Sequence, residues 1–305
     1  MAGACNQLFV GGLQWLIHVV MKMLSWNIRG VVRSEKKRQI KKLLIARKIE
    51  MVLFQETKLS SILEVEVRRL WHRDRFEYMS VEAEGRARGL LCIWDPRMFQ
   101  LSDCCSNRNF ILLSGTFHNS FECVILNIYA PNGVVKRGNL WEVLLNTKSS
   151  FSKPWCLGGD FNEIRNVAER VGCSRRDREM KDFNEFIDRC EVTEIQMLGS
   201  KYTWSNAHEG IKWIKIDRFF LSPEWIERFK LKLWGLSRTI SDHCPLVLME
   251  DVRDWGPKPF KFLNVWLLHP KFASLMVKVC GESYIVGDAG FTLQEKLQAL
   301  KMALK

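Results

Sequence analysis

Asp160 and Asn162 stand two residues apart at the end of Trp155-Cys156-Leu157-Gly158-Gly159, a short apolar run closed by two glycines. On an extended backbone, residues i and i+2 share a face. Both side chains therefore leave the mouth of one strand together, while Phe161 turns back into the core. A carboxylate in that position can take a proton from water, and the neighbouring amide can donate to an oxygen that gains charge. Taken alone, the stretch reads more simply as a strand followed by an Asp/Asn turn.

Other apolar runs also finish on polar residues that no core asks for. Asn27 follows Leu24-Ser25-Trp26, Glu56 closes Val52-Leu53-Phe54-Gln55, and Asn127 and Tyr129 share a face of residues 124–129. Asp217 lies inside residues 214–220, and Asp242-His243 precede Pro245-Leu246-Val247. Each has a plainer reading. Asn27 can cap the turn at Gly30, Glu56 the following helix and Asp242 a turn; Tyr129 can be an amphipathic edge residue. Asp217 can pair with Lys215 or Arg218, and a lone histidine such as His243 is commonly structural. Capping alone does not account for so many polar strand ends in one chain. Phosphodiester cleavage needs oxygen ligands for a hard cation, a base for water and donors for developing charge, and this set contains all three.

Such residues converge only if strands and helices alternate around a large core. The spacing predicts strands over 23–28, 51–55, 89–94, 110–117, 121–129, 155–159, 213–220 and 245–249, with a strand-like stretch at 202–204. It predicts amphipathic helices over 34–49, 61–71 and 180–190, a short helix near 223–229 and a weaker one over 138–149. Residues 169–179 read as a basic loop carrying Arg170, Arg175, Arg176 and Arg178. Strands mixed with surface helices predict a two-sheet α/β sandwich.

The chain of 305 residues is 47% apolar and 26% charged, which allows one large domain or two ordinary ones. A net charge of +12 suits a phosphate-bearing polymer or an anionic membrane surface. The ten cysteines show neither CxxC spacing nor cysteine–histidine pairing. They read as small core residues of a reduced, intracellular protein, with no zinc site and no disulfide framework. No apolar run has the length of a membrane-spanning helix. Residues 1–22 contain an apolar stretch, Leu8–Met21, without a basic n-region or convincing cleavage site, and read as an appendage. The expected domain occupies 23–250. Asp251–Pro259 marks a linker, and 251–305 carries a partial helical tail leading toward a missing downstream region.

The ordered set Ser25-Trp26-Asn27, Gln55-Glu56-Thr57, Asn127-Ile128-Tyr129-Ala130-Pro131, Gly159-Asp160-Phe161-Asn162, Ile216-Asp217-Arg218 and Ser241-Asp242-His243 resembles the endonuclease/exonuclease/phosphatase superfamily, which includes apurinic endonucleases and DNase I. Within it the chain is most similar to the endonuclease domain of plant LINE-type (non-LTR) retrotransposon ORF2 proteins. That likeness is carried by Leu24–Gly30, Tyr202-Thr203-Trp204-Ser205-Asn206, Asp217–Leu221 and Gly256-Pro257-Lys258-Pro259-Phe260, over about residues 23–270.

The resemblance implies a DNase I-like four-layer α/β sandwich: two facing mixed β-sheets flanked by helices, with the site at one end. It implies Mg²⁺, or Mn²⁺ in its place, on Glu56 with Asn27 and Asp242. Asp160 would orient or deprotonate the attacking water, and Asn162 would hold a phosphate oxygen. Tyr129 and His243 would contact the scissile phosphate, with Asp217 accepting from the imidazole. Asn127 and Thr203 would meet the substrate, and Arg175 and Arg176 would track the DNA backbone. The expected act is a nick leaving a 3′-hydroxyl and a 5′-phosphate, with DNA as partner, the nucleus as compartment and no membrane or protein partner. Ile214 departs from the serine common in the transposon relatives, which puts backbone contacts to substrate in doubt. Two alternatives stay open: another phosphodiesterase or phosphatase of the superfamily acting on lipid or inositol phosphates, and a decayed copy that binds nucleic acid without cutting.

Overall fold

Met51-Val52-Leu53-Phe54 is apolar at consecutive positions, the pattern of a strand covered on both faces. In the computed structural model of the chain, Met51 and Leu53 enter one core while Val52 and Phe54 enter another. The structure describes residues 21–83, 88–172, 177–206, 212–251 and 269–282, together with 292–293, 296–297, 299–300 and 303. The chain divides into two compact units, Met1–Val252 and Arg253–Lys305.

The first unit is built on two large sheets. One has the order β11 (Met197–Leu198), β15 (Leu231–Gly235), β16 (Leu246–Glu250), β1 (Lys22–Asn27), β2 (Met51–Gln55), β4 (Leu90–Trp94) and β3 (Glu77–Val81). The other runs β10 (Thr193–Glu194), β14 (Asp217–Leu221), β8 (Trp155–Asp160), β7 (Phe121–Tyr129), β6 (Phe110–Phe117) and β5 (Phe99–Asn107). Both are mixed: β1 and β2 pair in parallel, as do β7 and β8, within otherwise mostly antiparallel ladders. A small third sheet, β12 (Trp204–Ser205), β13 (Trp213–Ile214) and β9 (Arg170–Val171), stands apart from them.

The inward faces meet in one core, where Met23, Leu53 and Cys92 join Ile111, Ile125, Cys156 and Phe219. On the outer face of the first sheet, Leu24, Trp26 and Phe54 pack with Ile40 and Leu44 of α1 (Ser34–Arg47) and Val67 and Leu70 of α2 (Glu64–Leu70). On the outer face of the second, Leu112, Leu126 and Leu157 pack with Leu140, Trp141 and Leu144 of α3 (Val134–Ser150) and Phe183, Phe186 and Ile187 of α4 (Asp177–Arg189). A short α5 (Pro223–Arg228) seals one margin with Trp225, and the second unit contains α6 (Phe272–Glu282). The order helix, sheet, sheet, helix is the expected four-layer sandwich.

Several elements differ from the sequence expectation. Residues 213–220 do not form one strand: Lys215 and Ile216 separate β13 from β14, which lie in different sheets. The third helix begins at Val134 and the fourth at Asp177, each before its expected start. Strands β3, β5 and β15 are absent from the expected set. Most of β5 is exposed, as befits an edge strand whose faces do not both meet a core. At the start of the domain, Met21 is already buried and Lys22 opens β1. The appendage at residues 1–20, Arg175 and Arg176, and the linker from 252 on lie outside the described residues, as does most of the tail. Cys92, Cys123, Cys156, Cys190 and Cys244 are buried and free. No helix among the described residues is long and apolar enough to cross a membrane.

The two glycines of β8 are dictated by close packing. A Cβ at Gly159, where φ is +154°, would stand 2.0 Å from the carbonyl oxygen of Ile128 on β7. At Gly158 it would meet Phe219 at 2.6 Å and Leu53 at 2.9 Å, both side chains that can shift. Gly159→Ala is expected to cost about 2–4 kcal/mol and Gly158→Ala about 1–3 kcal/mol, because backbone yields less than side chains. Urea unfolding of both variants checks the order; a Gly159→Ala protein as stable as wild type would contradict it.

Candidate active site

Strand register brings the polar strand ends into line. Asp160 is the Cα partner of Tyr129 on β7 and of Asp217 on β14, so three polar residues form a row across the second sheet. On the first sheet Asn27 pairs with Gln55, and Glu56 follows directly. Residues 241–243 arrive just before β16, the antiparallel neighbour of β1. Ser241 Oγ donates to the Asn27 carbonyl at 2.7 Å, Trp26 Nε1 donates to the His243 carbonyl at 3.1 Å, and a β-bridge joins His243 to Trp204.

The side chains then meet between the sheets. Asn27 Nδ2 donates to Glu56 Oε1 at 3.1 Å and to Asp160 Oδ2 at 2.9 Å, so one amide spans two carboxylates. Tyr129 Oη donates to Glu56 Oε1 at 2.8 Å. The Asn162 backbone N–H donates to Asp160 Oδ1 at 3.0 Å, and its side-chain amide to the Ala130 carbonyl at 2.7 Å. His243 Nδ1 lies 3.0 and 2.9 Å from the two oxygens of Asp217. Its Nε2 is buried without a hydrogen-bond partner, 3.9 Å from Asp160 and 4.0 Å from Asp242. Asn27, Glu56, Asp160, Asp217 and His243 are each at most 4% exposed; Tyr129, Asn162 and Asp242 are half-buried.

Crowding of charge shifts these groups. Burial, then repulsion from Asp217, pushes Asp160 up to about 7 against the pull of His243 and Asn27. Burial alone would lower His243, but Asp217, Asp160 and Asp242 outweigh it and raise the imidazole to about 9. For Asp242, burial acts upward and is outweighed by His243, Arg29 and Trp204, so its carboxyl stays below the usual range. Burial, then Glu56, holds the Tyr129 phenol well above its ordinary value.

Asn127 and Thr203, expected at the substrate, are placed elsewhere. Asn127 is fully buried between the sheets, donating to the Phe54 carbonyl at 3.0 Å and accepting from Gln55 at 2.7 Å. Thr203 is also fully buried, and its hydroxyl accepts from the N–H groups of Ile216 and Asp217, both at 3.0 Å. It shapes the turn that delivers Asp217. Of the basic loop residues, Arg170 belongs to β9 and Arg178 is exposed on α4.

Two residues at the site were not singled out from the sequence. Trp204 Nε1 donates to Asp242 Oδ2 at 2.8 Å. Arg29 reaches Glu56 Oε1 with Nη1 at 2.9 Å and Asp242 Oδ1 with Nε at 3.1 Å. Arg29 had a signal, a cation two residues beyond Asn27 where the chain leaves the strand; Trp204 lay within the 202–206 motif, but nothing in its residue type pointed to Asp242.

The oxygen donors fit a hard divalent cation. Glu56, Asn27 and Asp242 offer oxygen ligands only, and a guanidinium already stands across the two carboxylates, marking a locus suited to positive charge. Asp160, Asp217 and His243 also present ligand atoms within 4.8 Å of one another. There, however, Nδ1 and both Asp217 oxygens are engaged with each other, which describes an oriented imidazole better than a metal cage.

The architecture is shared with solved nucleases. The chain aligns with an AP endonuclease from Leishmania major at a TM-score of 0.63 and 14% identity, over 76% of this chain and 87% of the other. It aligns with a 3′ phosphatase from Neisseria, solved with a product DNA hairpin, at 0.59 and 17%, over 76% and 99%. The endonuclease domain of TRAS1, a telomere-specific non-LTR retrotransposon, aligns at 0.56 and 13%, over 77% and 100%. These likenesses establish the fold. No curated protein sequence matches the chain. The sequence model of the Endonuclease/Exonuclease/phosphatase family matches residues 24–243, a span running from β1 to His243 itself. The chain belongs to that family.

Proposed function

We propose that the chain is a divalent-metal-dependent endonuclease that nicks DNA, leaving a 3′-hydroxyl and a 5′-phosphate, and that it derives from a plant LINE-type retroelement. The observation that carries this reading is the unpartnered Nε2 of His243, fully buried 3.9 Å from Asp160 while Asp217 holds the other ring nitrogen.

Asp160, ionised above about pH 7, accepts a proton from water as the oxygen attacks phosphorus. The P–O3′ bond breaks, and the departing oxygen takes up a proton to become the 3′-hydroxyl. His243 in its charged form donates from Nε2 to a non-bridging phosphate oxygen, while Asp217 fixes the ring through Nδ1. Asn162 uses one amide hydrogen on Ala130 and has the other for the phosphate. Glu56, Asn27 and Asp242 would hold the divalent ion, which when bound supplies Lewis-acid charge to the phosphate. Tyr129 stays protonated and orients Glu56.

DNA is favoured over lipid or inositol phosphates by the net charge of +12, by the transposon-like flanking motifs, and by relatives that include an endonuclease domain of a retrotransposon and an enzyme solved with DNA. A nuclear location follows from that substrate.

Purified protein is expected to nick supercoiled plasmid with Mg²⁺ and to stop with EDTA. Asp160→Asn or His243→Ala should slow nicking by about 10²–10⁴-fold with far-UV circular dichroism unchanged. Hydrolysis of short-chain phosphate esters in place of plasmid would overturn the DNA assignment, and wild-type protein inert on both would mark a binding-only copy.

The nicking rate should follow a bell. It rises through about pH 7 as Asp160 loses its proton and falls through about pH 9 as His243 loses its own. Asp217→Asn removes the charge that raises His243, so the upper limb should move to lower pH. An unmoved upper limb would take His243 out of the charged role.

A further inference from the structure

Arg29 is the group at this site whose presence the chemistry above does not require. Its backbone is pinned. Residue 29 has φ of +48°, a left-handed conformation costly for a side chain with a Cβ. Its N–H donates to Asn27 Oδ1 at 3.2 Å, and the next N–H, of Gly30, donates to the Glu56 carbonyl at 2.6 Å. This turn throws the side chain back over the carboxylates, where one guanidinium bridges Glu56 at 2.9 Å and Asp242 at 3.1 Å. The side chain is 38% exposed, so the head group can swing out without unfolding the turn.

We propose that Arg29 is a tethered counter-ion that occupies the place of the divalent cation between Glu56 and Asp242 and yields those oxygens when the cation and a substrate phosphate arrive together. The proposal rests on Glu56 and Asp242 being metal ligands. The Glu56 side chain is 5% exposed, with neutral donors in Asn27 and Tyr129 and the Lys58 ammonium at 3.7 Å. Of the two cations paired with this buried carboxylate, Arg29 is the one at hydrogen-bond distance and Lys58 the more distant, so the metal-free protein gains from Arg29. The guanidinium hydrogen-bonds the same oxygens that would ligate the ion, so the two compete.

The displaced side chain has somewhere to go. Arg29 already lines an open cleft of about 540 Å³ with Arg33, Lys36 and Lys58. A DNA phosphate there would take the guanidinium in a bidentate pair. By linkage, whatever draws Arg29 away raises the affinity of the carboxylates for the ion, and the ion in turn raises affinity for the phosphate. The device keeps the ion weakly held until substrate is present.

The test is Mn²⁺ binding to metal-free protein, read by electron paramagnetic resonance of the free ion. Arg29→Gln and Arg29→Gly, the latter suited to the positive φ, should each bind Mn²⁺ about tenfold more tightly than wild type, with Arg29→Lys close to wild type. In a cleavage-dead His243→Ala background, Mn²⁺ should raise affinity for a fluorescent duplex more in the Arg29 protein than in its Arg29→Gln counterpart. Unchanged or weaker Mn²⁺ binding in both neutral variants overturns the counter-ion role and leaves the metal reading standing. Mn²⁺ binding that is absent throughout, or indifferent to Glu56→Gln, overturns both.

Discussion

One side-chain amide joins the two sheets where the site lies. Asn27 leaves the first sheet and donates both to Glu56 beside it and to Asp160 on the second. Three carboxylates, those of Glu56, Asp160 and Asp217, are buried within this end of the sandwich. Buried charges of one sign persist only when donors and cations are arranged around them. Asn27, Tyr129, the Asn162 N–H, His243 and Arg29 are that arrangement. The crowding that makes the site hard to assemble also lifts Asp160 to about 7 and His243 to about 9, where proton transfer near neutral pH is feasible.

The layers beneath hold this arrangement at its spacing. Gln55 donates to Asn127 across the gap between sheets at 2.7 Å, and Asn127 returns a bond to the Phe54 carbonyl at 3.0 Å. This polar tier lies one step inside the site and keeps the two strand ends in register. Arg218, on the strand that carries Asp217, is fully buried and pairs with Glu169 at 2.5 Å and Glu194 at 2.6 Å. Breaking such a pair on one side would leave an uncompensated buried charge, so this network fixes β14 more by the cost of its loss than by net attraction.

The central strands could be read from the sequence because they are buried on both faces, which makes an apolar run and its polar exit locally distinct. Met51–Gln55 followed by Glu56 and Trp155–Gly159 followed by Asp160 show this contrast. The break between β13 and β14 could not be read, since it is made by the Thr203 hydroxyl from another segment. Nor could β5, whose exposed edge lacks an apolar period. Asn127 and Tyr129 share a strand face, yet two residues of depth separate a clamp inside the sandwich from a group at the site. Residue type alone carries no information about that depth. The cation of Arg29 stood visible two residues past Asn27, but its partners did not: it reaches the carboxylates only through a left-handed turn.

The central claim is that distant residues act on one phosphate as one unit. A double-mutant cycle on plasmid nicking tests it, using Asp160→Asn, His243→Ala and the combined variant. If the two groups serve one transition state, the double variant should be no more than about tenfold slower than the slower single variant. Losses that multiply, each as large in the absence of the other group as in its presence, would show that the two residues act independently and would contradict the account.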